Sequence, residues 1–159
     1  MIKTFVYFQA VNKTVSCYKN YPMIELKNKY PKTYNRIKPY IFNCMAYDWE
    51  TIIKEYGCVA NCSFLVDWLI EKTGEDYNDG KYHKNLDKKL LEELLIYCEE
   101  LLVTFTKATQ NIDEMSDNLT KNEKNMIKKK KKAQNIIDIL STMVKKIDFL
   151  FDYAYIVVM

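Results

Sequence analysis

The chain has 159 residues, 48% of them apolar, 14% aromatic and 28% charged, with only 3 Gly and 3 Pro. That is one domain's length with enough apolar matter for one core, and it excludes a disordered chain, a collagen-like repeat and a multidomain enzyme. The net charge is only +3 but unevenly placed: residues 1–66 carry +5, 67–120 carry −7, 121–146 carry +7 and 147–159 carry −2.

The first predicted element is a β-hairpin over residues 2–20. Thr4 to Phe8 and Thr14 to Tyr18 are rich in β-branched and aromatic residues and flank Asn12 and Lys13. From Pro31, the spacing of Ile37, Tyr40, Ile41, Cys44 and Met45 predicts a helix that Pro39 weakens. A short helix follows over 49–56, with Asp48 as its N-cap and Gly57 as its left-handed C-terminal residue. Residues 60–73 form another, with Phe64, Leu65, Trp68 and Leu69 as its stripe and Gly74 closing it. Residues 74–84 carry turn chemistry and are expected to be a surface loop.

The clearest periodicity lies in 86–110. Leu86, Leu90, Leu94, Cys98, Leu101, Leu102 and Phe105 share one face, and Glu92, Glu93, Glu99 and Glu100 occupy the other. A second long helix, basic in character, is expected over 121–152. Its apolar side is Ala133, Ile136, Ile137, Leu140, Met143, Val144, Ile147 and Leu150. The two helices should pack antiparallel, their opposite charges quenching one another without an outside partner. Residues 153–159 have no polar face and strong strand propensity, so a strand pairing with the hairpin is favoured over prolongation of the last helix. The expected fold is therefore α+β in a single domain over 1–159. It is mostly helical, with an antiparallel long-helix pair and a small sheet from the N-terminal hairpin and the C-terminal tail.

No stretch is long and uncharged enough to cross a bilayer, and Met1 to Thr4 lack a basic head before an apolar run, so a cytoplasmic protein without membrane contact is expected. Five cysteines, an odd number, argue against a disulfide framework. Cys58, Cys62, His83 and Cys98 hold enough donors for zinc. However, the Cys58–Cys62 spacing is not a tight knuckle, and Cys98 sits in the apolar stripe, so neither metal nor cofactor is expected. The single histidine has no recognisable nucleophile partner, and three glycines cannot build a phosphate-cradling loop, so the chain is read as non-enzymatic.

The remaining chemistry is in the run Lys128 to Lys132. On a helix, Lys128, Lys131 and Lys132, with Lys124 and Lys121 behind them, cluster on one side as candidate binding residues for phosphates or an acidic protein. With a single Arg among 24 basic residues, base-specific recognition of DNA is not expected. Thirteen Tyr and two Trp also suit a protein-binding surface.

The stretch Phe64 to Glu71, the Asp- and Gly-rich turn, Leu90 to Cys98, and the closing helix and aromatic strand resemble small uncharacterised phage and prophage proteins of low-GC bacteria, over about residues 49–159. That resemblance implies a mobile-element accessory protein and carries no activity with it. The expected function is a non-enzymatic protein-binding accessory protein. It would occlude a host or defence-system protein sterically, as an inhibitor of the anti-CRISPR kind. The alternative is lysine-driven, sequence-blind binding to nucleic acid.

Overall fold

The computed structural model describes residues 3–12, 27–28, 31–32, 35, 54–74, 82–150 and 152–158. Within these lie β1 (Phe5–Asn12), β2 (Lys54–Ala60), α1 (Ser63–Thr73), β3 (Tyr82–Leu86), α2 (Lys88–Thr109), α3 (Lys121–Lys146) and β4 (Asp152–Val158). The protein is α+β and mostly helical, with a long-helix pair, α2 against α3, and a four-stranded antiparallel sheet in the order β2-β1-β4-β3.

The alternation of β1 sets the core. Val6, Phe8 and Ala10 are buried, and in register beside them on β4 lie Val158, Ile156 and Ala154, also buried. Residues directly opposite share a face of the sheet. Leu86 of β3 joins that face opposite Ala154, and Val59 of β2 joins it opposite Val6. The same core contains Leu65, Trp68 and Leu69 from α1, Leu91, Leu94 and Cys98 from α2, and Ile136, Leu140 and Met143 from α3. The helices therefore cover this face of the sheet. Trp68 is core, as its helical position suggests, and stacks on Tyr97 with ring centroids 6.2 Å apart.

The C-terminal strand is present as β4, so the alternative of a prolonged helix falls. The sheet is assembled differently from the expected hairpin. β1 runs on through Asn12 and has β2 on one side and β4 on the other, which leaves neither of its edges for an adjacent hairpin partner. Residues 14–18, where that partner was expected, lie outside the described residues. So does most of the helix expected from Pro31, of which Pro31, Lys32 and Asn35 are helical.

The helix expected over 49–56 is corrected in its second half. Lys54, Glu55 and Tyr56 begin β2, and Gly57 sits within the strand opposite Phe8. Gly57 is not left-handed; among the described residues the left-handed glycine is Gly74, with φ 66, whose N–H bonds the Ile70 carbonyl to close α1 as expected. What Gly57 provides is room. A Cβ there would stand 2.5 Å from Cδ1 of Ile139 on α3, so the absence of a side chain lets the long helix lie directly on β2. The register shifts between Phe8 and Gln9, leaving Tyr56 as the extra residue of a bulge.

The loop expected over 74–84 ends early, because Tyr82 to Leu86 pair with β4 as an edge strand. α2 starts at Lys88, where the Asp87 carboxylate accepts the Leu90 N–H at 2.8 Å. α3 starts with a full capping box: the Thr120 hydroxyl accepts from the Glu123 N–H and the Glu123 carboxylate from the Thr120 N–H. It stops at Lys146 rather than 152. The Asp148 carboxylate takes the Leu150 N–H at 3.1 Å and turns the chain, which leaves Leu150 75% exposed instead of in the apolar stripe.

Candidate functional site

The lysine run lies in the first half of α3, and its surroundings decide which of its residues act together. Between α3 and the start of α1 is a cleft of about 110 Å³. Its α3 wall is Asn125, Lys128, Lys129 and Lys132, and its facing wall includes Asn61, Ser63 and Phe64. Positions 125, 128, 129 and 132 are related by three, four and seven residues and so share one helical face.

The facing wall is held rigidly. Asn61 is the one described non-glycine residue with positive φ, at 51°, a conformation asparagine tolerates better than most. Its backbone N–H bonds the Thr4 carbonyl at 2.7 Å, and its side-chain Oδ1 accepts the Thr4 N–H at 3.1 Å, which laces the turn to the start of β1. Its own carbonyl accepts from Nζ of Lys132 at 2.7 Å. Lys132 is therefore anchored across the cleft, while Lys128 and Lys129 are exposed at its mouth.

Of the five candidate lysines, Lys128 and Lys132 line the cleft. Lys121 stands further up the same face, and Lys124 and Lys131 are exposed on its flank. Lys129 and Asn125 were missed. Both are legible only once the facing wall is known, because the cleft axis falls between Lys128 and Lys129 rather than on the side of Lys131.

The expected quenching of α3 by α2 is not what joins them. Among the described residues no lysine of α3 pairs with a carboxylate of α2. Glu93 pairs with Lys72 of α1, Glu92 with Lys88 of its own helix, and Lys130 with Glu114 of the connecting loop. The α2–α3 contact is apolar, made by Leu91, Leu94, Ile136, Leu140 and their neighbours in the core.

Cys62 and Cys98 are placed as core groups. Burial pushes Cys62 up to about 11, against the opposing pulls of the Leu65 N–H and of Lys132. Burial, then the neighbouring Cys62 and Glu99, push Cys98 up to about 12. Metal binding needs thiolates, and such protonated thiols resist it. Among the described residues no group of three or more His, Cys, Asp or Glu is placed to hold a metal ion. His83 belongs to β3, with its backbone opposite Val157.

Two other features stand away from the cleft. A larger cavity of about 330 Å³ lies where α2 begins, over Leu86, Leu90 and Phe149, with Asp87 at its rim already engaged as the helix cap. On the outer face of α2, Ile96 and Val103 are each 55% exposed and share a stripe with Glu92, Glu99 and Glu100. No described helix is long and apolar enough to cross a membrane. Comparison with protein-family models, with curated proteins and with solved structures gives no match to this chain.

Proposed function

We propose that the protein is a non-enzymatic, sequence-blind binder of nucleic-acid backbone. The observation that carries this reading is the convergence of Lys128, Lys129 and Lys132, with the amide of Asn125, on one cleft whose lining contains no carboxylate. Lys128 and Lys129 have no carboxylate partner among the described residues, and such ammonium groups are counter-charges available to phosphates, which they bind by releasing condensed counterions. Lys121, Lys124 and Lys131, all exposed on the same helix, extend the positive strip over roughly 16 Å of helix axis. The scarcity of arginine removes the residue that grips guanine at two points, so the expected binding is to backbone rather than to sequence.

The test is fluorescence polarisation with a labelled oligonucleotide across a salt series. The logarithm of affinity should fall linearly with the logarithm of salt, with a slope of about −2 to −4 for three to four phosphate contacts. Lys128→Glu with Lys129→Glu should abolish most of the binding while leaving the melting transition in place. Binding that ignores salt, or that survives this pair of changes, overturns the reading.

A second reading, steric occlusion of a partner protein, is favoured by one observation: the exposed Ile96 and Val103 on α2. Ile96→Asp with Val103→Asp would then abolish capture of that partner and leave oligonucleotide binding untouched.

A further inference from the structure

Resting on the phosphate-binding reading, we propose that the cleft takes a single, unpaired strand, with a base set against the ring of Phe64 while Lys128 and Lys129 hold the adjoining phosphates. Three observations carry this.

The first is width. The basic strip belongs to one helix, α3, and at the cleft its lysines stand on one wall only. The facing wall, with Asn61, Ser63 and Phe64, adds no cation. A duplex presents two charged strands on either side of its grooves, and here the second strand would meet a neutral wall rather than cations. A lone strand needs only the one charged wall.

The second is the chemistry of the lining. Phe64 is half-buried, braced from behind by Phe105 with ring centroids 5.9 Å apart, and contributes to the cleft beside the lysines. Aromatic rings next to a cationic track are how sequence-tolerant proteins hold unpaired bases, since every base offers a π-face. The bases of a duplex are stacked inside and cannot use such a ring. The third is the neutral polar set around the ring: the Ser63 hydroxyl and the Asn61 and Asn125 side chains. These can meet the exposed edges of an unpaired base, which a duplex keeps engaged.

The experiment compares labelled oligothymidylate with a duplex of equal length, both longer than the roughly 4–16 nucleotides of typical strand-binding sites. The full chain is used at low salt. Oligothymidylate should bind about tenfold more tightly than the duplex, the order expected from one base stacked on one ring. Phe64→Leu should erase most of that preference, and Phe64→Tyr, which keeps the ring, should restore it. Because Phe64 also touches the core, ultraviolet cross-linking of the unaltered protein to oligothymidylate gives an independent readout, with the joined peptide expected to contain Phe64. Equal or tighter duplex binding overturns the single-strand inference. So does a cross-link confined to other aromatic residues, or a preference unchanged in Phe64→Leu. In each of these cases, binding that stays salt-sensitive and lost in Lys128→Glu with Lys129→Glu leaves the backbone-binding reading standing. Absence of binding to both oligonucleotides at low salt overturns both.

Discussion

α2 and α3 are the two longest helices among the described residues, lie side by side, and bury comparable apolar faces, yet their charged faces are resolved in different ways. On α2, Glu92 and Glu93 each have a lysine within the ion-pair range, at 4.0 and 3.8 Å. On α3, among the described residues, Lys130 alone of its five-lysine run has a carboxylate partner, and Lys132 donates to a backbone carbonyl instead. Opposite net charges on neighbouring helices therefore do not mean that the helices neutralise each other. Their faces turn away from the shared seam, so the seam is held by oil and the charges of each helix are settled outside it.

The largest expected effect tests that division directly. Leu94→Ala on α2 and Leu140→Ala on α3 remove fully buried side chains from the shared core and should each cost about 2–5 kcal/mol in chemical denaturation. Glu99→Gln, an exposed charge on the other side of α2, should cost less than about 0.5 kcal/mol. If the glutamate change proved as costly as the leucine changes, the seam would be electrostatic after all.

The same core sets a pH dependence. The folded chain holds Cys62 up to about 11 and Cys98 up to about 12, against an ordinary thiol value of 9.0. Above pH 9 the unfolded chain releases protons that the folded chain keeps, so stability is fully present below pH 9 and is lost as pH rises towards 11 to 12. Tyr97 and Tyr155, raised from 10.0 chiefly by burial, act in the same direction. Denaturation midpoints measured on both sides of pH 9 should show the fall, and Cys98→Ala should make it shallower relative to its own value at neutral pH.

Gly57→Ala comes next. It places a methyl group against Ile139 and should cost about 1–3 kcal/mol, with Ile139→Val, which deletes the atom 2.5 Å away, recovering a large part of the loss. An additive pair of changes would mean that the helix does not rest on the strand at this point.

Gly57 also marks where sequence reasoning reaches its end. Gly74 and Gly57 both follow short amphipathic runs, and both read locally as helix caps. Gly74 is one, because its left-handed conformation answers to the Ile70 carbonyl four residues back. Gly57 is not, because its role is fixed by Ile139, far away in the chain. The long helices were legible because their periodicity repeats over many turns, and the tail strand because its residues have no polar face. β3 was not legible: Tyr82-His83-Lys84-Asn85 lacks strand character, and pairing with β4 makes it a strand. For the site, the direction of the lysine row could be read from helical geometry. The wall opposite it could not, since Asn61, Ser63 and Phe64 face the lysines only through the tertiary fold.

The smallest expected effect compares two adjacent lysines with the same charge and the same neighbours in sequence. Lys129 lines the cleft, whereas Lys130 lies about 100° further round the helix and pairs with Glu114 at 3.4 Å. If phosphates are held at the cleft, Lys129→Gln should make the salt slope for oligonucleotide binding shallower by about 0.7, the share of one contact on a single strand. Lys130→Gln should leave the slope unchanged and cost less than about 1 kcal/mol of stability, because a partly exposed ion pair contributes little. Equal effects on the slope would mean that binding follows the density of lysines along α3 rather than the cleft, and the difference between the two helices would then reduce to their composition.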